Sequence, residues 1–375
     1  MGHLATMRGG RSTPFAPNDS SSFPPHVLHC LIPQVLYRRE GGAMPPFNSP
    51  SSSRPRFAAH LSCPRPSVAT TTTRHPTAAP LRIVDAFAGI GGFHLGFRQA
   101  GGTCVAAIER DPAARVTYQR HFEPLEPDLF NSGRFLSDIT HVDASDLPDF
   151  DVLTAGFPCQ AFSVAGKARG LHDERGVLFF ELARLLTASQ PPAFVFENVP
   201  GLAWHQGGAT LAAMQQVLTT VLGYRVHTEV LRACDFGLPQ LRPRLFMVGF
   251  RDPDVPFSFP PPVPLGTSLS DVLGGHCERE LSRTVLTTGI HRRHGQKYNW
   301  AHYIVDGVER RITPREAATL QGFPPDFTLP ERDAAAYRLV GNAVAVPVVA
   351  AIAAQVTTAL SYIPAPVMAE KGEFG

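Results

Sequence analysis

From Leu81 onward, strand-length apolar runs alternate with helical segments. That alternation confines the chain to a sheet whose strands are joined by crossover helices. Leu81-Arg82-Ile83-Val84-Asp85-Ala86-Phe87 reads as a buried strand. A glycine-rich turn over 88–92 follows, then a short helix that Gly101-Gly102 ends. Further strand candidates are 104–108, 151–155, 193–196, 225–231 and 244–250. Helical periodicity is clearest over 177–189, with a helix-like segment from Thr313 to Gln321 and an apolar helix over roughly 343–360. The expected fold class is α/β, a doubly wound and mainly parallel sheet. No internal repeat is visible.

The first 80 residues behave differently. They are rich in Pro, Ser, Thr and Arg and carry no sustained periodicity, which reads as disorder. An Arg- and Ser-rich, acid-poor segment also resembles an organellar transit peptide. The favoured expectation is that part of it is a mis-called start. Met44 follows Glu40-Gly41-Gly42-Ala43, and codons for Glu-Gly-Gly can spell a purine-rich ribosome-binding site. Residues 251–310 also break the alternation. They open on a Pro-rich stretch and continue into a basic one from Arg279 to Lys297.

Charge and cysteine usage narrow the classes. Formal net charge is +2, but residues 1–80 hold eight Arg against two acidic residues, about +6, which leaves about −4 for the remainder. Attraction to nucleic acid must therefore come from a local patch. Cysteines at 30, 63, 104, 159, 234 and 277 have no C-x-x-C spacing, so neither a zinc knuckle nor a thioredoxin-like pair is indicated, and no metal site is expected. Their scatter suits a reduced, intracellular protein better than a disulfide scaffold. No apolar run reaches membrane-span length, so no membrane association is expected.

Four constellations carry chemistry. In Asp85-x-Phe87-x-Gly89-x-Gly91-Gly92, glycines turn the backbone at the carboxyl edge of the sheet, where nucleotide-like ligands bind. Glu109 ends the next strand and can accept both hydroxyls of a ribose. His94 stands where the dinucleotide fingerprint has its third Gly, so a nucleoside cofactor fits better than a pyrophosphate. In Gly156-Phe157-Pro158-Cys159-Gln160, a Cys held in a turn at a strand's end can act as a nucleophile. Phe194-Val195-Phe196-Glu197-Asn198 ends a strand in a carboxyl group that desolvation can keep protonated for a ring nitrogen. Gln240-x-Arg242-x-Arg244 places two Arg on one side of an extended segment, where they could clamp carbonyl or phosphate oxygens.

In this order and spacing, these motifs resemble those of DNA (cytosine-5)-methyltransferases of the bacterial restriction-modification type. Thr313-Pro314-Arg315-Glu316 with Leu320-Gln321-Gly322-Phe323-Pro324, and Gly341-Asn342-Ala343-Val344, match the two late motifs. The resemblance covers about 81–360. It implies a sheet of S-adenosylmethionine-dependent methyltransferase type with a small inserted target-recognition domain. The implied divisions are a catalytic and cofactor-binding domain over 81–250 and a target-recognition region with its return segment over 251–325. The catalytic domain is completed by 326–362, and a tail covers 363–375.

By the same resemblance, Cys159 attacks carbon 6 of cytosine and Glu197 holds ring nitrogen 3. Arg244 and Arg242 contact the base carbonyl and orient Glu197. The cofactor pocket uses Phe87, Gly89, Gly91, Glu109, Asp138, Ile139, Pro158, Leu178, Asn342 and Val344. In the pocket, Phe87 and Ile139 flank the adenine, Asp138 accepts from its amino group and Glu109 holds the ribose. Gln160, Ser163 and Lys167 belong to a mobile catalytic loop on the DNA. Arg283, Arg292, Arg293, Lys297 and Arg315 are implied DNA contacts, and His291, His294 and Asn299 are further candidates. The implied partners are double-stranded DNA and a restriction endonuclease acting separately. A monomer in the cytoplasm, associated with the nucleoid of a bacterium, is expected.

Three other readings compete. A tRNA (cytosine-5)-methyltransferase of the same fold typically carries a Cys-Phe-Thr tripeptide, which this chain lacks. A nicotinamide-dependent oxidoreductase needs the missing third Gly. A non-catalytic DNA-binding regulator does not need Cys159, Glu197 and Arg244 intact.

Overall fold

The computed structural model describes residues 80–157 and 177–361. Contacts divide the chain into Met1–Thr73 and Arg74–Gly375, and the described residues belong to the second unit. The expectations for 1–79 and 363–375, and for Pro158, Cys159, Gln160, Ser163 and Lys167, lie outside the described residues.

The strands are β1 (Arg82–Ala86), β2 (Thr103–Ile108), β3 (Phe135–Leu136), β4 (Val152–Gly156), β5 (Ala193–Asn198), β6 (Arg225–Arg232), β7 (Gln240–Leu241), β8 (Pro243–Phe250), β9 (Ser282–Arg283), β10 (His302–Val305) and β11 (Val308–Arg311). The α-helices are α1 (Gly92–Gln99), α2 (Pro112–Phe122), α3 (Pro127–Asn131), α4 (Val177–Ser189), α5 (Ala209–Gln216), α6 (Leu269–Leu273), α7 (Pro314–Leu320), α8 (Asp333–Asn342) and α9 (Val346–Ser361).

A seven-stranded sheet runs in the order β3-β2-β1-β4-β5-β8-β6. β1 lies parallel to both β2 and β4, and β5 is parallel to β4. Only β8 is reversed, antiparallel to β5 and β6. The sheet is therefore mainly parallel, as expected. Strand order reverses between β1 and β4, so the chain leaves both strands at one edge in opposite directions and opens a crevice there. The glycine turn follows β1, and residues 158–176 follow β4.

Two apolar cores explain the continuous apolar strands. Ile83, Ala107, Val152, Val195 and Val248 enter one core, and their neighbours Val84, Ile108, Leu153, Phe196 and Met247 enter the other. A strand buried on both faces needs apolar residues at every position, not at alternate ones. α1 and α9 cover the first face, and α4 the second. α1 and α9 meet closely. A Cβ at Gly96 would lie 2.4 Å from Val349 Cγ1, so a residue unfavourable inside a helix is retained for the approach it permits.

Local signals set the helix starts. Asp111 caps α2 by accepting from the Ala113 and Ala114 amides at 2.9 and 3.0 Å, with Pro112 at the first turn. Thr313 and Glu316 form a capping box at α7. α8 is an element that the sequence reading did not name.

The segment Asp333–Ser361 corrects the expectation about apolar length. By length and a mean hydropathy of 2.0 it could cross a membrane, but more than half of that window is buried inside the protein. Its apolarity belongs to the core that α9 shares with α1.

The glycine turn is closed by packing. Gly91 has φ of 90°, and a Cβ there would lie 2.3 Å from Phe122 Cε2. Gly91→Ala is expected to destabilise the fold by about 3 kcal/mol, combining overpacking with left-handed strain. A denaturant midpoint measured against the wild type checks this.

Candidate functional site

Two clefts open at the carboxyl edge. The first, of about 430 Å³, is lined by Phe87, Ile108, Glu109, Arg110, Asp111, Pro112, Ser137, Asp138, Ile139 and Leu178. It gathers five of the residues implied for the cofactor: Phe87, Glu109, Asp138, Ile139 and Leu178. Phe87 takes φ of 55°, a backbone state rare for an aromatic residue, at the mouth of the glycine turn.

Glu109 is held at both oxygens. The Gly89 amide donates to Oε2 at 2.7 Å and the Asp111 amide to Oε1 at 2.6 Å. A carboxylate has about four acceptor positions, and the Gly89, Arg110 and Asp111 amides leave room for an incoming hydroxyl. Asp138 Oδ1 accepts from the Thr140 amide and hydroxyl at 3.0 and 2.8 Å, which holds its carboxyl below the ordinary value. Its Oδ2 lies 3.7 Å from Arg110 Nε. Apolar walls with an acceptor at each end fit a nucleoside.

Other implied cofactor residues lie elsewhere. Gly91 is closed against Phe122, and Asn342 is exposed at the end of α8. Val344 sits behind the turn: a Cβ at Gly92 would lie 2.6 Å from its Cγ2. None of these three lines the cleft. His94 is tied to the core. Its Nδ1 is 2.7 Å from the Tyr118 hydroxyl, its Nε2 is 2.9 Å from Glu126, and its ring stacks on Phe122 at 3.9 Å.

Asp85, beneath the turn, is fully buried. Thr154 Oγ1 donates to its Oδ1 at 2.9 Å, while Oδ2 has no hydrogen-bond partner among the described residues. Burial pushes this carboxyl from 3.8 up to about 7. The folded state then binds a proton that the unfolded state has released, so stability falls as pH rises from about 4 to 7. Asp85→Asn lacks this proton. Measured by unfolding at pH 4 and pH 8, its stability relative to the wild type should improve with pH by about 4 kcal/mol at most.

The second cleft, of about 680 Å³, is lined by Pro200, Pro243, Arg244, Arg283, Thr284, Leu286 and residues 295–300. Glu197 stands at the end of β5 beside it. Its Oε1 accepts from Arg244 Nε at 2.8 Å. Burial pushes the Glu197 carboxyl above its ordinary value, against the pull of Arg244 and Arg242. Oε2 faces Gly156, where a Cβ would lie 3.6 Å away. Gly156 and Glu197 are register partners in β4 and β5. Asn198 links the same two strands, since its Nδ2 donates to the Phe157 carbonyl at 2.9 Å. That bond fixes the chain two residues before Cys159, a role the sequence reading missed.

Arg242 departs from expectation. It is 2% exposed, and its guanidinium donates to the carbonyls of Val285, Gly341 and Ala343 at 2.9, 3.0 and 2.6 Å. Gln240 and Gln321 extend this network. Gln240 Nε2 donates to the Leu320 carbonyl at 2.7 Å, and Gln321 Nε2 to that of Val340 at 2.9 Å. Alternate residues of an extended chain share a side, but a turn between β7 and β8 sends Arg242 inward and Arg244 to the cleft.

Among the implied DNA contacts, Arg283 and Lys297 line the second cleft. Arg292 and Arg293 are exposed on the same loop. Arg315 donates to the Phe327 carbonyl at 2.7 Å, a contact within the fold. Asn299 is 6% exposed and bonds the backbone of Ala301 and His302, so it is a loop anchor, not a reader of bases. Among the described residues no group of acidic, His or Cys side chains could hold a metal ion.

Two clefts open on a mainly parallel sheet, one with acidic acceptors among apolar walls and one bordered by Arg244, the partner of the buried Glu197. The profile of the C-5 cytosine-specific DNA methylases matches residues 81–274 and 273–358, and the chain belongs to that family. It is a DNA cytosine-5 methyltransferase. It is 42% identical over 315 residues to the type II methyltransferase M.NlaX of Neisseria lactamica, covering 75% of this chain and 98% of that one. It is 33% identical over 325 residues to the type II methyltransferase M.HhaI of Haemophilus parahaemolyticus, covering 76% and 96%. The fold is also that of the Dnmt2 methyltransferase of S. pombe. There the TM-score is 0.60 at 20% identity, covering 75% of this chain and 100% of the other.

Proposed function

We propose that this chain methylates carbon 5 of cytosine within a short specific sequence of double-stranded DNA, as the modification enzyme of a restriction-modification system. The observation that carries the proposal is Glu197. It is a buried carboxyl, raised above its ordinary value and clamped by Arg244 on the strand next to the one that leads into Cys159. The relatives named as type II methyltransferases support DNA over tRNA as substrate.

The Cys159 thiolate adds to carbon 6 of the cytosine, while Glu197 holds a proton at ring nitrogen 3. The ring's electron pair then resides at carbon 5. S-adenosylmethionine, when bound, supplies the electrophilic methyl group. Phe87, Ile139 and Leu178 would pack on its adenine, Asp138 would accept from the amino group, and Glu109 would take the ribose hydroxyls. Loss of the carbon 5 proton to a base restores the double bond and expels Cys159. Stacked cytosine cannot be reached on both faces, so the target leaves the helix. Residues 251–325 form the recognition region, and Gln160, Ser163 and Lys167 are further DNA contacts. The enzyme acts as a cytoplasmic monomer, apart from its cognate endonuclease.

The test is bisulfite sequencing of genomic DNA from a host free of cytosine-5 methylation that expresses the chain. Methylation at one recurrent short motif, absent with Cys159→Ala, is expected. Unmodified DNA from a host producing folded enzyme would reject the proposal.

A further inference from the structure

The recognition loop presents a side chain that the reaction scheme leaves unused. Tyr298 is 60% exposed and has φ of 62°. A bulky residue held in the left-handed region signals a local constraint, and such strain collects at ligand clamps and active sites. The chain on both sides of it is pinned. Asn299 Oδ1 accepts from the amides of Ala301 and His302 at 3.1 and 3.0 Å, and Trp300 Nε1 donates to the Thr288 carbonyl at 2.7 Å. On the other side, Arg292 Nη1 donates to the Lys297 carbonyl at 3.1 Å. Trp300 is 1% exposed and serves the core, whereas the adjoining Tyr298 ring is turned out.

Two cations attend that ring. Arg292 Cζ lies 5.4 Å and Lys297 Nζ 5.0 Å from its centroid. Tyr298 also lines the cleft that contains Arg244, the partner of Glu197. An aromatic face beside exposed cations has the chemistry of a single-base stacking platform, because every base offers a π-face and the flanking phosphates attract the cations.

We propose that Tyr298 stacks on a nucleobase left without its neighbour when the target cytosine enters the cleft, with Arg292 and Lys297 beside the ring meeting the flanking phosphates. The inference rests on the duplex-DNA reading above. Tyr298 is a positioning residue: it favours the extruded state and does not touch the reacting atoms. The ring is what matters, not the hydroxyl.

The test uses the full chain and two duplexes carrying the motif found by bisulfite sequencing. In one the target cytosine is paired. In the other it faces an abasic site, where the cost of unpairing is already removed. Tyr298→Ala and Tyr298→Gly are expected to lower kcat/KM on the paired duplex by about 10- to 100-fold. On the abasic duplex they should come within about threefold of wild type. Tyr298→Phe should match the wild type on both. Tyr298→Gly fits the backbone without strain, so its Tm should be at or above the wild-type value while its paired-duplex activity falls. Equal losses on the two duplexes, or no loss on either, would overturn the assignment. Methylation of neither duplex by the wild type would instead reject the duplex-DNA reading itself.

Discussion

Glu197→Gln is expected to lower kcat for methyl transfer by about 10²- to 10⁴-fold, the usual worth of a positioned general acid, while the protein stays folded. Gln keeps the shape of the side chain and can still accept from Arg244 Nε, the contact that measures 2.8 Å in the wild type. It cannot supply the proton that the ring nitrogen needs as sulfur adds to carbon 6. Burial already biases the wild-type carboxyl toward its protonated form by raising it above the ordinary value. A raised carboxyl is protonated below its folded pKa and ionised above it. The wild-type rate should therefore fall as pH rises through that value, and the Gln variant should lack this limb. Single-turnover rates across pH, with cofactor binding as the control for folding, read both effects. A Gln variant with wild-type rate and pH profile would remove Glu197 from the chemistry.

Arg242→Met should act on stability instead. The guanidinium is surrounded by three carbonyls from two separate segments, Val285 on one and Gly341 and Ala343 on the other. Removing it takes this donor from the Val285 and Gly341 carbonyls, each loss costing about 1–3 kcal/mol, while the Ala343 carbonyl keeps Gln321 Nε2 at 3.2 Å. A total loss of about 3–5 kcal/mol is expected, with the denaturant midpoint falling accordingly. The segments released are the stretch after β9 and the junction between α8 and α9. Arg244→Ala is the contrast. Its side chain lines the cleft, and the Glu197 it leaves behind can take up a proton, so its unfolding midpoint should fall less than that of Arg242→Met while its kcat drops. Equal midpoints for the two variants would refute this division of roles between residues two positions apart.

The fold was largely legible because its strands are buried on both faces. Apolar runs such as 104–108 and 193–196 announce themselves without any tertiary information. The glycine turn and Glu109 were legible from the local pattern of a strand end and its turn, whereas Asp138 entered only through the family resemblance. Arg242 was not legible. Its spacing from Arg244 suggested a shared face, and only the fold of β7 against β9 shows that the two diverge. Asn299 failed for a similar reason: polar residues in a basic loop look alike until one is found bonding its own backbone. Asn198 was seen as part of a motif, but its bond to the Phe157 carbonyl spans 41 positions and leaves no mark in local sequence. Asp85 is of the same kind, a conspicuous acid whose burial under the turn, and hence whose raised pKa, depends on the packing of α1 and β4 around it.

The central claim is that the two clefts serve one reaction, in which a thiolate adds to a cytosine whose nitrogen Glu197 holds. DNA in which the target cytosine carries fluorine at carbon 5 tests it most directly. Methyl transfer can occur on such a base, but fluorine cannot leave as the proton does, so Cys159 cannot be expelled. With S-adenosylmethionine present, the account predicts a denaturation-resistant protein–DNA complex. Mass spectrometry should place the link at Cys159, and Cys159→Ala should form none. Methylation of ordinary DNA with no trapped complex on the fluorinated duplex, or a complex that survives Cys159→Ala, would contradict it.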